Sequence, residues 1–164
     1  MKNGKPILYL DSCIFITILS RDKKDPDLLR GALYAKERIE RKECYLVACQ
    51  MVTLEVRRTV ITAKAVDMFD QFMRQSNITR VAAGNRVATL ADGLIKECHE
   101  RDRVLKSMDA MHLATAILYG VDEFYTNNGP LTGIGKMMAG QPGWPVVLRP
   151  PLPPPTLFDN LPIK

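Results

Sequence analysis

The 164-residue chain has no CxxC pair, no glycine-rich turn after its first apolar run, and no apolar stretch near the roughly 20 residues that cross a bilayer. Each absence removes a class of protein. Cys13, Cys44, Cys49 and Cys98 are scattered, which argues against a disulfide framework and leaves a zinc site built on Cys98-His99 poorly spaced. Three of them lie in apolar segments and read as small reduced hydrophobes. Without a G-x-G-x-x-G turn, a dinucleotide-binding oxidoreductase is disfavoured. The opening MKNGKPILYLD breaks its apolar run after about five residues, short of the ~7 to 15 of a secretory leader. A cytoplasmic protein with no membrane segment is the expectation.

What is present describes a globular domain. Hydrophobic residues make up 46% and charged residues 25%, and the length suits one domain with a real core. The balance of 23 Lys+Arg against 18 Asp+Glu gives a net charge of +5, a mild bias toward polyanionic partners. Short apolar runs at PILYL (6–10), YLVA (45–48), ITRVA (78–82), EFYTN (123–127) and PVVL (145–148) read as buried strands. Helical spacing separates them: a short helix over 12–19, then 26–41, roughly 53–63, 64–75, 85–100 and 107–119. Strands alternating with helices predict a three-layer α/β/α domain around a central parallel sheet of four to five short strands, with no internal repeat.

Residues 1–148 form this expected domain. Residues 149–164, RPPLPPPTLFDNLPIK, carry six of the eleven prolines and read as an extended tail. Such a tail lies over the domain surface, stays disordered, or docks in a partner groove; its composition does not choose.

Ligands of an open parallel sheet bind at the carboxyl ends of its strands. Asp11 follows the first strand, and Glu55 in VTLEVRR falls in the opening turn of a helix that Thr53 is placed to cap. Asp109 in KSMDAMHLATA falls in the first turn of a helix with Ser107 at its cap, and Asn128 follows the fourth strand. Taken singly, each has a structural reading, because helix N-termini favour caps and acids. Together they are three carboxylates and one amide on one rim. An oxygen-rich cluster of this kind suits a hard cation such as Mg²⁺ or Mn²⁺, which also keeps crowded acids ionised. An aspartyl-nucleophile phosphatase would need a second Asp two residues after Asp11, where Cys13 stands.

LDSCIF, TLEVRR and DAMHLATAILYGVDEFYTNN together resemble the PIN-domain nucleases, over about residues 7 to 135 and with the order of blocks kept. Within that family the chain is most similar to the VapC-like toxins. The resemblance implies a metal-dependent endoribonuclease, the toxin of a type II toxin–antitoxin pair, acting on RNA and paired with a cognate antitoxin. It implies Asp11, Glu55 and Asp109 as Mg²⁺ or Mn²⁺ ligands and Ser12 in support, with Asn128 completing the catalytic set. It also implies a homodimer, to which the helix at 64–75 contributes. Many members carry Asp where Asn128 stands, so a rival reading is a PIN-fold RNA-binding or assembly module with weakened catalysis. His112, one turn after Asp109, reads as a packing residue. Arg57, Arg58, Lys23 and Lys24, with Arg21, are candidates for contacting RNA phosphates.

Overall fold

A computed structural model describes residues 1–21, 23–59 and 62–155. Five short strands form one sheet: β1 Ile7–Leu10, β2 Tyr45–Cys49, β3 Ile78–Val81, β4 Glu123–Tyr125 and β5 Val146–Leu148. Their order is β3-β2-β1-β4-β5, and every pairing is parallel. Leu8, Leu10, Leu46, Phe124 and Tyr125 are fully buried, as expected of strands covered on both faces. Seven helices among the described residues complete the three layers: α1 Ser12–Ser20, α2 Pro26–Glu40, α3 Gln50–Thr59, α4 Ala63–Phe72, α5 Asn85–Glu100, α6 Ser107–Leu118 and α7 Gly129–Met137. None is long and apolar enough to cross a membrane.

The chain builds outward from β1 in both directions. After β1 it moves to β2 and β3 on one side, then crosses back to β4 and β5 on the other. The sheet therefore changes direction between β1 and β4, and a crevice opens at their carboxyl ends. Backbone bonds fix that edge: the Asp11 N–H donates to the Tyr125 carbonyl at 3.0 Å, and the Thr126 N–H to the Leu148 carbonyl at 3.0 Å.

Three local expectations need correction. β2 runs straight into α3 at Gln50, so Glu55 lies in the helix's second turn and Thr53 inside it rather than at its cap. Ser107 is the first residue of α6; Lys106 takes the cap position without a side-chain bond. Helix α7 was not anticipated, because GPLTGIGKM packs three glycines and a proline into nine residues. It forms because Asn128 caps it through Leu131 N–H and its proline falls in the first turn, where no N–H is needed.

The start of the proline-rich segment lies on the domain surface. Arg149 pairs with Asp25, the residue capping α2, at 2.5 Å. Pro150 is buried against α2, where a Cβ on Gly31 would meet the Pro150 carbonyl oxygen at 2.5 Å. Residues 156–164 of the expected tail, and residues 60–61 of the helix expected over 53–63, lie outside the described residues.

A second close approach locks the far edge of the sheet. A Cβ on Gly135 of α7 would stand 2.3 Å from Val147 Cβ on β5. Overpacking of this kind costs about 1–3 kcal/mol, so Gly135→Ala is expected to lower the urea midpoint. A Gly135→Ala protein as stable as the wild type would contradict this packing.

Candidate metal centre

Asp11 occupies the position preceding α1, with extended backbone, yet its side chain makes no capping bond. The carboxylate turns into the crevice instead. It is 5% exposed; Oδ2 accepts from the Thr126 hydroxyl at 2.6 Å and from the Cys13 thiol at 3.4 Å, and Oδ1 from the Ser12 hydroxyl at 3.3 Å. Two hydroxyls and a thiol orient this anion, and none of them neutralises it. Among the described residues no Lys or Arg forms an ion pair with Asp11 or Asp109. Buried carboxylates are normally paired or bound to a metal.

Glu55 reaches the same place from α3. One ligand atom each from Asp11, Glu55 and His112 lies within 4.8 Å of the others. His112 Nε2 is 2.8 Å from Glu55 Oε2, and that hydrogen bond is the main cause holding the Glu55 carboxyl below its usual range, with the Ser12 hydroxyl assisting. Ser12 thus donates to Asp11 and also favours the ionised form of Glu55. The two carboxylates around this point make an oxygen donor set fit for a divalent cation, while both nitrogens of the imidazole are already engaged, by Tyr9 and by Glu55.

Asp109 joins through a neighbour. Asn128 Nδ2 donates to Asp109 Oδ2 at 3.1 Å, while Asn128 Oδ1 accepts from Leu131 N–H at 3.4 Å. The cap fixes which end of the amide faces the acid: the N–H₂, not the carbonyl. Asp109 is raised above the ordinary Asp value, first by burial and then by the charge of Asp11. The structure therefore brings Asp11, Glu55 and His112 closest together and sets Asp109 within electrostatic reach of Asp11.

Of the expected phosphate contacts, Arg57 is committed to Asp70 on α4, its Nη2 lying 3.0 and 2.7 Å from the two carboxylate oxygens. Arg58 is exposed and its charge favours ionised Glu55. Arg21, Lys23 and Lys24 are exposed in the joint between α1 and α2. An open cleft of about 450 Å³ instead flanks Asp109 and Asn128, with Arg103, Lys106, Gly129 and Pro130 among its walls. Sequence reasoning passed over Arg103 and Lys106, although HERDRVLK sets both bases directly before Asp109. It also passed over Thr126, whose hydroxyl both donates to Asp11 and accepts from Asn128 N–H at 3.0 Å. Cys13 lies beside Asp11, but burial and then the Asp11 charge push its thiol up to about 12, so it is a neutral donor rather than a thiolate ligand.

The arrangement is that of a parallel α/β domain with acidic side chains gathered at the point where its strand order reverses. This chain belongs to the PIN domain family, whose model matches residues 8–134. Its fold is similar to that of VapBC2 from Rickettsia felis, a structure bound to a promoter DNA fragment, at TM-score 0.60 and 15% identity over 87% of this chain and 98% of the other. It is similar also to a toxin–antitoxin complex from Klebsiella pneumoniae, at TM-score 0.59 and 23% identity over 88% and 98%. A third is Mycobacterium tuberculosis VapC20, described as a Sarcin-Ricin loop cleaving toxin, at TM-score 0.58 and 14% identity over 78% and 95%. No curated protein sequence matches the chain significantly.

The raised Asp109 carboxyl has a consequence for stability. A carboxyl whose folded value lies above its unfolded one destabilises the fold once ionised, so its cost grows as pH rises through that window and disappears below it. In metal-free buffer at pH 7, Asp109→Asn is therefore expected to raise Tm, and the gain should shrink as pH falls through the titration of Asp109. A lower Tm for Asp109→Asn throughout would contradict the crowding of Asp109 and Asp11.

Proposed function

We propose that this protein is a divalent-metal-dependent endoribonuclease hydrolysing RNA phosphodiester bonds, and the toxin of a type II toxin–antitoxin pair. The observation that carries this reading is a buried Asp11 carboxylate with no Lys or Arg ion-paired to it among the described residues, gathered with Glu55 within 4.8 Å. Asp11, Glu55 and Asp109 are the residues that hold Mg²⁺ or Mn²⁺. Bound there, the ion supplies polarisation of the scissile phosphate and an attacking water of lowered pKa. The chain's own residues prepare that centre. Thr126 and Ser12 hold the Asp11 carboxylate in one orientation, and the Asn128 amide steadies Asp109.

Arg103 and Lys106 line the cleft beside Asp109, and Lys106 is near enough to favour the ionised acid. They offer RNA phosphates a counter-charge at the mouth of the site, as does Arg58 on the Glu55 side. Hydrolysis of this kind would leave a 5′-phosphate and a 3′-hydroxyl. Two of the structures similar in fold are toxin–antitoxin assemblies, VapBC2 and the Klebsiella complex; they support a cognate antitoxin as partner. A homodimer belongs to the same proposal.

One observation favours a second reading, a PIN-fold RNA-binding or assembly module with weakened catalysis. Asn128 turns its N–H₂ toward Asp109 and uses its carbonyl on the cap of α7, so it adds no anionic oxygen to the cluster.

Endonucleolytic cleavage of RNA is expected with Mg²⁺ or Mn²⁺ and is expected to vanish in EDTA and in Asp11→Asn, with the fold kept by circular dichroism. Cleavage persisting undiminished in EDTA would contradict the metal-nuclease reading. Tight RNA binding without cleavage by the wild-type protein in Mn²⁺ would establish the second.

A further inference from the structure

Beneath the acidic cluster a chain of polar contacts crosses the core. Tyr9, in the middle of β1, is fully buried, and His112 on α6 is 1% exposed. Tyr9 Oη lies 2.7 Å from His112 Nδ1, and His112 Nε2 lies 2.8 Å from Glu55 Oε2. The phenol ring stacks on Phe124 of β4, with centroids 4.9 Å apart and planes 9° from parallel. It is tilted by 59° against the imidazole at 5.8 Å. Both rings are therefore held by packing as well as by hydrogen bonds.

The direction of the contacts follows from their ends. An ionised Glu55 carboxylate only accepts, so Nε2 carries a proton and donates. In a neutral imidazole Nδ1 then accepts from the Tyr9 hydroxyl, and in an imidazolium Nδ1 donates to it. In either form Nε2–H points at Glu55. A histidine serving packing alone could satisfy itself on backbone carbonyls. This one uses its outer nitrogen on a carboxylate at the cation pocket.

We propose that Tyr9 and His112 are positioning residues: through the Tyr9–His112–Glu55 hydrogen bonds they fix the Glu55 carboxylate for the cation and are not themselves its ligands. The proposal rests on the metal-centre reading above. Glu55 needs such help, because it is 27% exposed on its side chain and a free glutamate samples many rotamers. His112 engages one oxygen and leaves the other, with its lone pairs, to the cation. The arrangement ties three elements to one ligand: β1 through Tyr9, α6 through His112 and α3 through Glu55. Asp109 sits one turn before His112 on α6, so the same helix face carries both.

The test uses metal-free full-length protein, Mn²⁺ titration by calorimetry, and ¹⁵N NMR of the histidine rings. The wild type is expected to bind Mn²⁺ and to show His112 protonated at Nε2 before any metal is added. His112→Leu should weaken Mn²⁺ binding by about tenfold, the scale on which partners of metal ligands act. His112→Gln, whose amide N–H₂ can still donate to Glu55, should recover most of it. Tyr9→Phe keeps the ring stack on Phe124 and should both shift the His112 ring signals and weaken binding about threefold, the smaller part of that scale.

Equal Mn²⁺ affinity in folded His112→Leu and wild type would overturn the proposal, as would unchanged affinity and unchanged ring signals in Tyr9→Phe, which decides the matter should His112→Leu not fold. Equal losses in His112→Gln and His112→Leu would mean that the imidazole is itself a ligand, and would overturn it too. A wild-type protein that takes up no Mn²⁺ would overturn the metal-centre reading, and the proposal with it. The two failures are distinguishable by which protein shows them.

Discussion

Where β1 and β4 end side by side, the Asp11 N–H donates to the carbonyl of Tyr125, the last residue of β4, carrying the parallel ladder one residue past β1. That bond sets Asp11 beside Thr126, whose hydroxyl then reaches the Asp11 carboxylate at 2.6 Å. From Thr126 the order passes to Asn128 and from Asn128 to Asp109. A slip of one residue in the β1–β4 register would turn Asp11 away from this edge, because successive strand side chains face opposite ways. The site depends on that register more than on any one of its side chains.

The register is in turn enforced by the core. Leu8, Tyr9 and Leu10 are wholly buried, and Tyr9 stacks on Phe124 across the β1–β4 pair. The fold therefore places a carboxylate at 5% exposure without an ion pair to Lys or Arg among the described residues, and raises Asp109 through burial and the Asp11 charge. Such crowding is unfavourable in the metal-free chain, and a shared cation offsets it. Strain of this sort is what a site accepts when its stability is set by ligand rather than by packing alone.

Much of this could be read from the sequence, for reasons particular to each part. The strands are short runs, mostly apolar in β1 and β2 though β3 carries exposed Thr79 and Arg80, and their alternation with helices specifies a parallel sheet. Asp11 and Asn128 could be placed because each follows a strand, and Asp109 because it opens a helix, where this topology gathers side chains; Glu55 was expected one turn too early in α3. Less legible was anything set by pairing across the chain. Tyr9 and His112 are 103 residues apart and His112 and Glu55 57 apart, so no local pattern marks their contact. Helix α7 was hidden by its glycines, and the start of α3 by a threonine that resembles a cap but lies within the helix. Arg57 looked available for RNA until Asp70, 13 residues on, was seen to hold it.

The central claim is that the carboxyl ends of β1 and β4 gather these acids around one cation. The most direct measurement is a crystal structure of the Mn²⁺-soaked protein with anomalous diffraction at the manganese edge. The account predicts a single strong peak within bonding distance of carboxylate oxygens of Asp11 and Glu55, with Asp109 bound directly or through a water. An ordered crevice without a peak, or manganese bound elsewhere while Asp11 keeps only its hydroxyl and thiol partners, would contradict it.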